Sequence, residues 1–386
     1  MQQGARRGHA RVRLLAGVVL GVSVAAFTTA CLPEPPPAPA ADAKLLSKPD
    51  KAPSSDKPSS TTTPGGESFP STRDIYRWPF AASSIWNMPI GSAAAYAPAG
   101  LDFANAWGGR VGLDLENISV DRSFPVRMLT AASGISGMSV HVDPQLSDAG
   151  TQNDTSAFLS ADNPNLVWMG QPLTLALGGS PTWTWTSPTT AVPLDGDGRA
   201  GSHGGSHLSS LGGSIRPDEL RGSAPIRHAL KINMYARKYL SPAGSPNGYR
   251  WPAYNADGYF REIDPVTGRS YYDGPIPALR MGSLLALRPD VDLSFVTHPF
   301  VAKLAWTLEN YGAYVVDDAG WDVYDLSMDV AAWRAGEWPT IEVDPSFHAE
   351  LQRVFTLLNV VDNNAPAAIG GGGTPRQPLA PPFAPR

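Results

Sequence analysis

Between residues 170 and 330 this chain is cut into apolar pieces that fit strands and little else. "PLTLAL" (172–177), "PTWTWT" (181–186), "IRHALKIN" (226–233), "SLLALR" (283–288), "AYVVDD" (313–318) and "WDVYDL" (321–326) are short, apolar or alternating, and bounded by turn residues. Such runs predict strands. Two later segments keep helical spacing instead. Residues 298–311 place Val301, Leu304, Ala305 and Leu308 on one face, with Thr297 as N-cap and Gly312 just past the end. Residues 345–358 open with Asp344 as N-cap and Pro345 at the first helical position. Regular strand–helix alternation is absent, so a doubly wound α/β fold is not expected. The expectation is a mainly β single domain, β-sandwich or jelly-roll-like, with a few helices near 298–311 and 345–358.

The ends read differently. Met1–Arg13 carries four arginines and no acid, and Leu14–Phe27 is an apolar run closed by the small residues "TTAC". That run is shorter than the ~20 residues of a membrane-spanning helix, and the order of basic head, apolar middle and small residues is that of a secretory signal. Cys31, the one cysteine, follows it directly. The junction resembles the lipobox of bacterial lipoproteins, with Thr28 where leucine is usual; the resemblance implies that the Cys31 thiol is acylated and anchors the chain in a cell or outer membrane. One cysteine excludes an internal disulfide, zinc–cysteine sites and iron–sulfur clusters from the folded part. From Leu32 the chain is Pro, Ala, Ser, Thr and Lys, too poor in apolar groups to offset ordering entropy. As a coil it would span roughly 30–40 Å.

The organisation that follows is a lipoprotein signal over 1–30, lipidated Cys31 with a disordered tether over 31–73, a β-rich domain over 74–362, and a low-complexity, disordered tail over 363–386. Residues 76–362 hold 19 Lys and Arg against 29 Asp and Glu. A nucleic-acid binder wants a basic stripe, so nucleic acid is excluded as a partner. The partners expected are membrane lipid through Cys31 and a polysaccharide; no cofactor and no metal are expected.

The densest stretch is "GSHGGSHLSSLGGSIRPDELR" (201–221). His203 and His207 stand four apart, but the glycines between them disfavour a helix and no acid is near in sequence, so both read as solvated loop histidines. The glycines fit neither phosphate-binding fingerprint, and G-x-S-x-G is absent. Pro217–Leu220 reads as one helical turn ended by Gly222. In the strand that follows, Ile226, His228, Leu230 and Ile232 would share one face.

The pattern Gly212-Gly213-x-Ile-Arg216-x-x-Glu219, His228-Ala229-Leu230, Trp251-Pro252-Ala253, Met281-Gly282 and Tyr311-Gly312 with Asp317 resembles that of a widespread family of secreted bacterial proteins. The match covers about 210–360. It implies an extracytoplasmic, β-rich protein and supplies no reaction.

Arg216, Glu219, His228 and Tyr254 are the candidate catalytic set. An arginine fork neutralises a carboxylate, a histidine takes a proton and a tyrosine returns one; this is the equipment for β-elimination from a uronic-acid polysaccharide. Arg216 would be the charge clamp, oriented by Glu219, with His228 as base and Tyr254 as proton donor. The order, though not the spacing, is similar to that of jelly-roll alginate-type lyases. A local Arg216–Glu219 ion pair with His228 in the core is the plain alternative. Glycoside hydrolysis by paired carboxylates is a further possibility, with Asp257, Asp317, Asp318, Asp322 and Asp325 as the acids, otherwise surface groups. Trp251, Asp257 and Asp317 are the expected substrate contacts. Trp183 and Trp185 alternate onto one sheet face, where they could stack on sugars or fill a core. A non-catalytic carbohydrate-binding or envelope-structural lipoprotein is the competing reading.

Overall fold

The computed structural model describes residues 69–385, apart from 132–136, 148–152, 176–179, 184–190 and 244. The signal, Cys31, the tether as far as residue 68, and Trp185 lie outside the described residues. Among those described, no helix is long and apolar enough to cross a membrane.

The domain is mainly β. One mixed sheet runs in the order Tyr96–Pro98, Asn359–Val361, Leu284–Ala286, Ala313–Asp318, Leu230–Met234, Tyr324–Asp329, Gly112–Ser119, Ser156–Leu159, Leu166–Gly170, Val192–Pro193. A smaller sheet holds Met138–His141, Val126–Ala131, Pro181–Trp183 and Leu173–Leu175. Within the large sheet Leu230–Met234 pairs in parallel with Ala313–Asp318, and Gly112–Ser119 in parallel with both Tyr324–Asp329 and Ser156–Leu159. A jelly roll is antiparallel throughout, so the connectivity is that of a mixed sheet inside the expected mainly-β class.

Both expected helices form. Pro299–Asn310 is capped by His298, whose Nδ1 accepts from the Phe300 amide at 3.2 Å, rather than by Thr297. Pro345–Thr356 is capped by Asp344, which accepts from the Phe347 amide at 3.2 Å. Their apolar stripes, Val301, Leu304 and Leu308 with Phe347, Leu351 and Val354, pack with Leu230, Ile232, Met234, Ala313, Val315, Leu326 and Met328. Strand side chains alternate between faces, so Tyr314 and Val316 belong to a second core with Ile118, Leu159, Leu284 and Ala286. The sheet is thus buried on both sides, as parallel strands require.

The same alternation carries charge to the face away from the two helices. Asp114 and Glu116 alternate with Leu113 and Leu115, Lys231 and Asn233 with Leu230 and Ile232, and Asp325, Ser327 and Asp329 with Leu326 and Met328.

Trp183 is fully buried in the third core beside Phe158, its Nε1 donating to Ser156 Oγ at 2.7 Å. It packs the small sheet and offers no face to a sugar.

The tail departs from its expected disorder. Asn363 bonds the Ala95 amide and the Ala93 and Gly371 carbonyls, each at 2.9 Å. Arg376 donates to the Glu309 carbonyl and to Tyr96 Oη. Phe383 lies under the Arg73 guanidinium, 4.0 Å from its carbon, and Arg73 Nε donates to the Pro381 carbonyl at 2.7 Å. Low complexity weakens a core-forming argument, but this segment borrows its partners from the domain.

Candidate functional site

The segment Gly201–Arg221 lies over the charged face of the sheet. His203 is fully buried, with Nε2 at 3.1 Å from Asp114 Oδ2, 3.0 Å from Glu116 Oε1 and 3.2 Å from Ser327 Oγ. The solvated-loop expectation fails for it, because the acids it lacks in sequence arrive from the strand Gly112–Ser119. His207 is half-buried in a left-handed turn, φ 55°, and burial pulls its pKa down. Gly204 and Gly205 are required at this approach: a Cβ on Gly204 would lie 2.0 Å from the Asp317 carboxyl carbon, and one on Gly205 2.6 Å from the Asp257 oxygens.

Lys231 Nζ closes the cluster, 2.6 Å from Glu116 Oε1 and 3.0 Å from the Ser209 carbonyl. Ser214 Oγ donates to Glu116, and Asn233 Nδ2 to Asp114 Oδ2 at 2.9 Å. Burial opposes charge on His203, but Asp114 and Glu116 outweigh it and raise its pKa to about 9. Asp114, also working against burial, is held below its ordinary value by His203 and Asn233. Asp114, Glu116 and His203 bring ligand-type atoms close enough to hold a cation. Two carboxylates against an ammonium and an imidazolium are already balanced, however, and Lys231 stands where a cation would be needed. The arrangement is that of a charge-balanced buried network.

Two residues on from Ser214, Arg216 lines a pocket of about 510 Å³. Ile215 bridges in parallel to Met328, its amide donating to the Ser327 carbonyl at 2.9 Å and its carbonyl accepting from the Asp329 amide at 2.9 Å. This sets Arg216 beside Asp329, with Nε 3.3 Å from Oδ2. The turn after Arg216 is fixed from both sides. Buried Glu337 accepts from the amides of Asp218 (2.6 Å) and Leu220 (3.2 Å), and Lys303 Nζ donates to the carbonyls of Glu219 (2.8 Å) and Gly222.

Glu219 accepts from the Arg216 amide at 2.7 Å and from His228 Nε2 at 3.1 and 3.2 Å. His228 Nδ1 meets the Ala229 carbonyl at 2.9 Å. Both ring nitrogens therefore face acceptors, which suits the imidazolium. Burial opposes that charge, but Glu219 and the Ala229 carbonyl outweigh it and raise the pKa. Asp329 is pushed up to about 6 by burial, against the pull of Arg216. Of the Arg216 guanidinium nitrogens only Nε bonds within the described protein, which leaves both terminal nitrogens to a ligand. Tyr76, Trp78 and Phe124 supply aromatic wall.

Arg216, Glu219 and His228 thus converge, as expected, but their roles change. Glu219 orients His228 and the Arg216 backbone, while Asp329 holds the guanidinium. His228 precedes the strand, which starts at Leu230, and lines the pocket instead of the core. With both nitrogens taken it has no lone pair to act as a base. Tyr254 does not line this pocket: it is exposed, under the Arg199 guanidinium at 3.9 Å, with its amide bonded to the Ser206 carbonyl at 3.0 Å. Trp251 is half-buried, 6.0 Å from the same guanidinium.

Asp257 accepts from Tyr272 Oη at 2.6 Å, and Asp317 from the amides of Gly205 (2.8 Å) and Asp318 (3.0 Å) and from Asn153. Burial raises both pKa values. Neither lines the pocket, and Asp317 is buried, so neither is placed to contact a substrate there. Asp329, Tyr76 and Trp78 were missed from the sequence. The alternation Leu-Ser-Met-Asp in 326–329 is the one signal that marks Asp329.

Comparison with known proteins finds no matching family model, no similar curated protein and no similar solved structure.

Proposed function

We propose that this chain is an extracytoplasmic protein, lipid-anchored through Cys31, that takes a carboxylate-bearing saccharide into the pocket beside Arg216. The N-terminal pattern supports the anchoring. The observation that carries the ligand class is the Arg216 guanidinium, tethered by Nε to Asp329 with two nitrogens unengaged, in a pocket with aromatic wall. A half-held fork of this kind matches a carboxylate with two parallel hydrogen bonds, and aromatic faces suit sugar rings. Binding is favoured over β-elimination because His228 lacks a free nitrogen and Tyr254 lies outside the pocket.

One observation favours a hydrolytic version of the same site. Asp329, protonated up to about pH 6, and Glu219 flank one arginine, and an acid with a carboxylate is what glycoside hydrolysis uses. The test is calorimetric titration of the full chain with uronic-acid oligosaccharides, with ultraviolet absorbance and reducing ends recorded in parallel. Saturable binding lost in Arg216→Gln supports the reading, and reducing ends lost in Asp329→Asn add hydrolysis. Unsaturated products would restore the lyase. No binding by the folded protein across the panel would remove the saccharide reading.

A further inference from the structure

A second surface is built to hold aromatic rings out of the protein. Trp107 and Trp321 are 46% and 48% exposed, with ring centroids 4.9 Å apart and planes at 65°. Phe103, 56% exposed, is four residues away in sequence. Trp107 adopts φ 50°, ψ 38°, a left-handed conformation that a bulky residue rarely takes and that costs about 1–2 kcal/mol. Its ring stays about half exposed even so, with Trp321 as its ring partner.

The loop is nonetheless rigidly set. Buried Gln352, from the helix Pro345–Thr356, accepts from the Ala104 amide and donates to the carbonyls of Ala104 and Gly109, each at 3.0 Å. The Ala106 amide donates to the Asp322 carbonyl at 3.0 Å, which ties Trp107 to the neighbour of Trp321. Strain held in place by surrounding bonds marks a functional surface more often than an accident, and a preformed platform lowers the ordering cost of binding.

The rim indicates the occupant. Lys238 Nζ sits 3.1 Å from Asp322 Oδ2 and 3.5 Å from Asp102 Oδ2, and the Asp102 side chain is 71% exposed. Two carboxylates and one ammonium leave the rim negative, within a domain that is itself acidic. An anionic bilayer or acidic polymer is repelled there. Hydroxyl groups are not, since carboxylates accept from them and the ammonium donates to them. We infer that Trp107 and Trp321 form a binding platform for a neutral polysaccharide, its sugar rings stacked on the indoles and its hydroxyls bonded to Asp102 and Lys238. The platform is separate from the Arg216 pocket and takes a ligand of different charge.

The test is affinity electrophoresis of the full chain, carrying Cys31→Ser to exclude acylation, in gels containing xylan, mixed-linkage β-glucan or hydroxyethylcellulose. Retardation by at least one of them is expected, weakened about tenfold or more in Trp107→Asn and in Trp321→Ala, as loss of an aromatic stack implies. Asparagine tolerates the left-handed conformation, so the unfolding midpoint of Trp107→Asn should not fall. Arg216→Gln should leave this retardation intact, which separates failure of the pocket reading from failure of the platform. Absence of retardation by every neutral polymer, or full retardation of both tryptophan variants, overturns the inference. Sedimentation with phosphatidylcholine or phosphatidylglycerol vesicles that drops in Trp107→Asn, without glycan retardation, would overturn it in favour of a bilayer.

Discussion

His203 should make this protein lose stability as the pH rises past neutrality. Its Nε2 lies between Asp114 and Glu116 at 3.1 and 3.0 Å, out of contact with solvent. With Lys231 charged, two carboxylates leave one negative charge uncompensated, and the imidazolium supplies the balance. A folded pKa raised to about 9 from 6.5 corresponds to at most about 3 kcal/mol of stability. Nδ1 has no partner among the described residues, so its proton would be buried and unbonded, which trims the figure. Because the folded pKa is the higher one, the contribution is complete below pH 6.5 and is lost as the pH rises through about 9. The slope is at most about 1.4 kcal/mol per pH unit. His228 is also raised and titrates from the same lower bound, so the comparison must be with a variant. Urea unfolding of the full chain and of His203→Gln, from pH 6 to 9.5, isolates it. The two curves should converge as the pH rises. Curves that run parallel, or a wild type that gains stability on the alkaline side, would refute the charge-balanced network. Asp318 and Asp325, raised to about 7, and Asp329, raised to about 6, titrate at lower pH.

Lys231→Met alone should cost about 3–5 kcal/mol, because it strands Glu116 in the interior, and the urea midpoint would report it; Glu116→Leu added to it should restore part of the loss. In a uronic-acid binding assay Tyr254→Phe should behave as wild type while Arg216→Gln fails, and a loss in Tyr254→Phe would mean the pocket is wrongly bounded. Truncation after Gly373 removes the Arg376 bonds and the Phe383 contact with Arg73, and should lower the thermal midpoint; an unchanged midpoint would return the tail to disorder.

The late helices were legible because each carries an apolar stripe and a capping or proline start. The central strands were legible from their short apolar runs. The interior network was not, because its members come from 114–116, 203, 214, 231–233 and 327 and meet only through the tertiary fold. Local spacing shows a histidine among glycines and no acid; the pairing of Gly112–Ser119 with Tyr324–Asp329 supplies them. The alternation in "GLDLENIS" was the signal to follow, with two acids on one face of a strand whose other face is leucine. Arg216, Glu219 and His228 were found because turn and strand start lie close in sequence. Tyr254 was not separable from them, since nothing local says which side of the domain the segment after Trp251 occupies.

The clasp at Arg73 has a consequence for the order in which the chain can be completed. This guanidinium is buried, bonded to the carbonyls of Trp78, Pro79, Phe80 and Pro381 and, among the described residues, to no carboxylate, and burial pulls its pKa down to about 10. Its backbone is paired on both sides with residues 382 and 384. The partners at 381–384 lie some 310 residues after the arginine they secure. A growing chain therefore carries an open seam at Arg73 until residues 381–384 have been made. Asp74 and Tyr76, beside that seam, line the Arg216 pocket, so the pocket acquires its final wall only when residues 381–384 have been delivered.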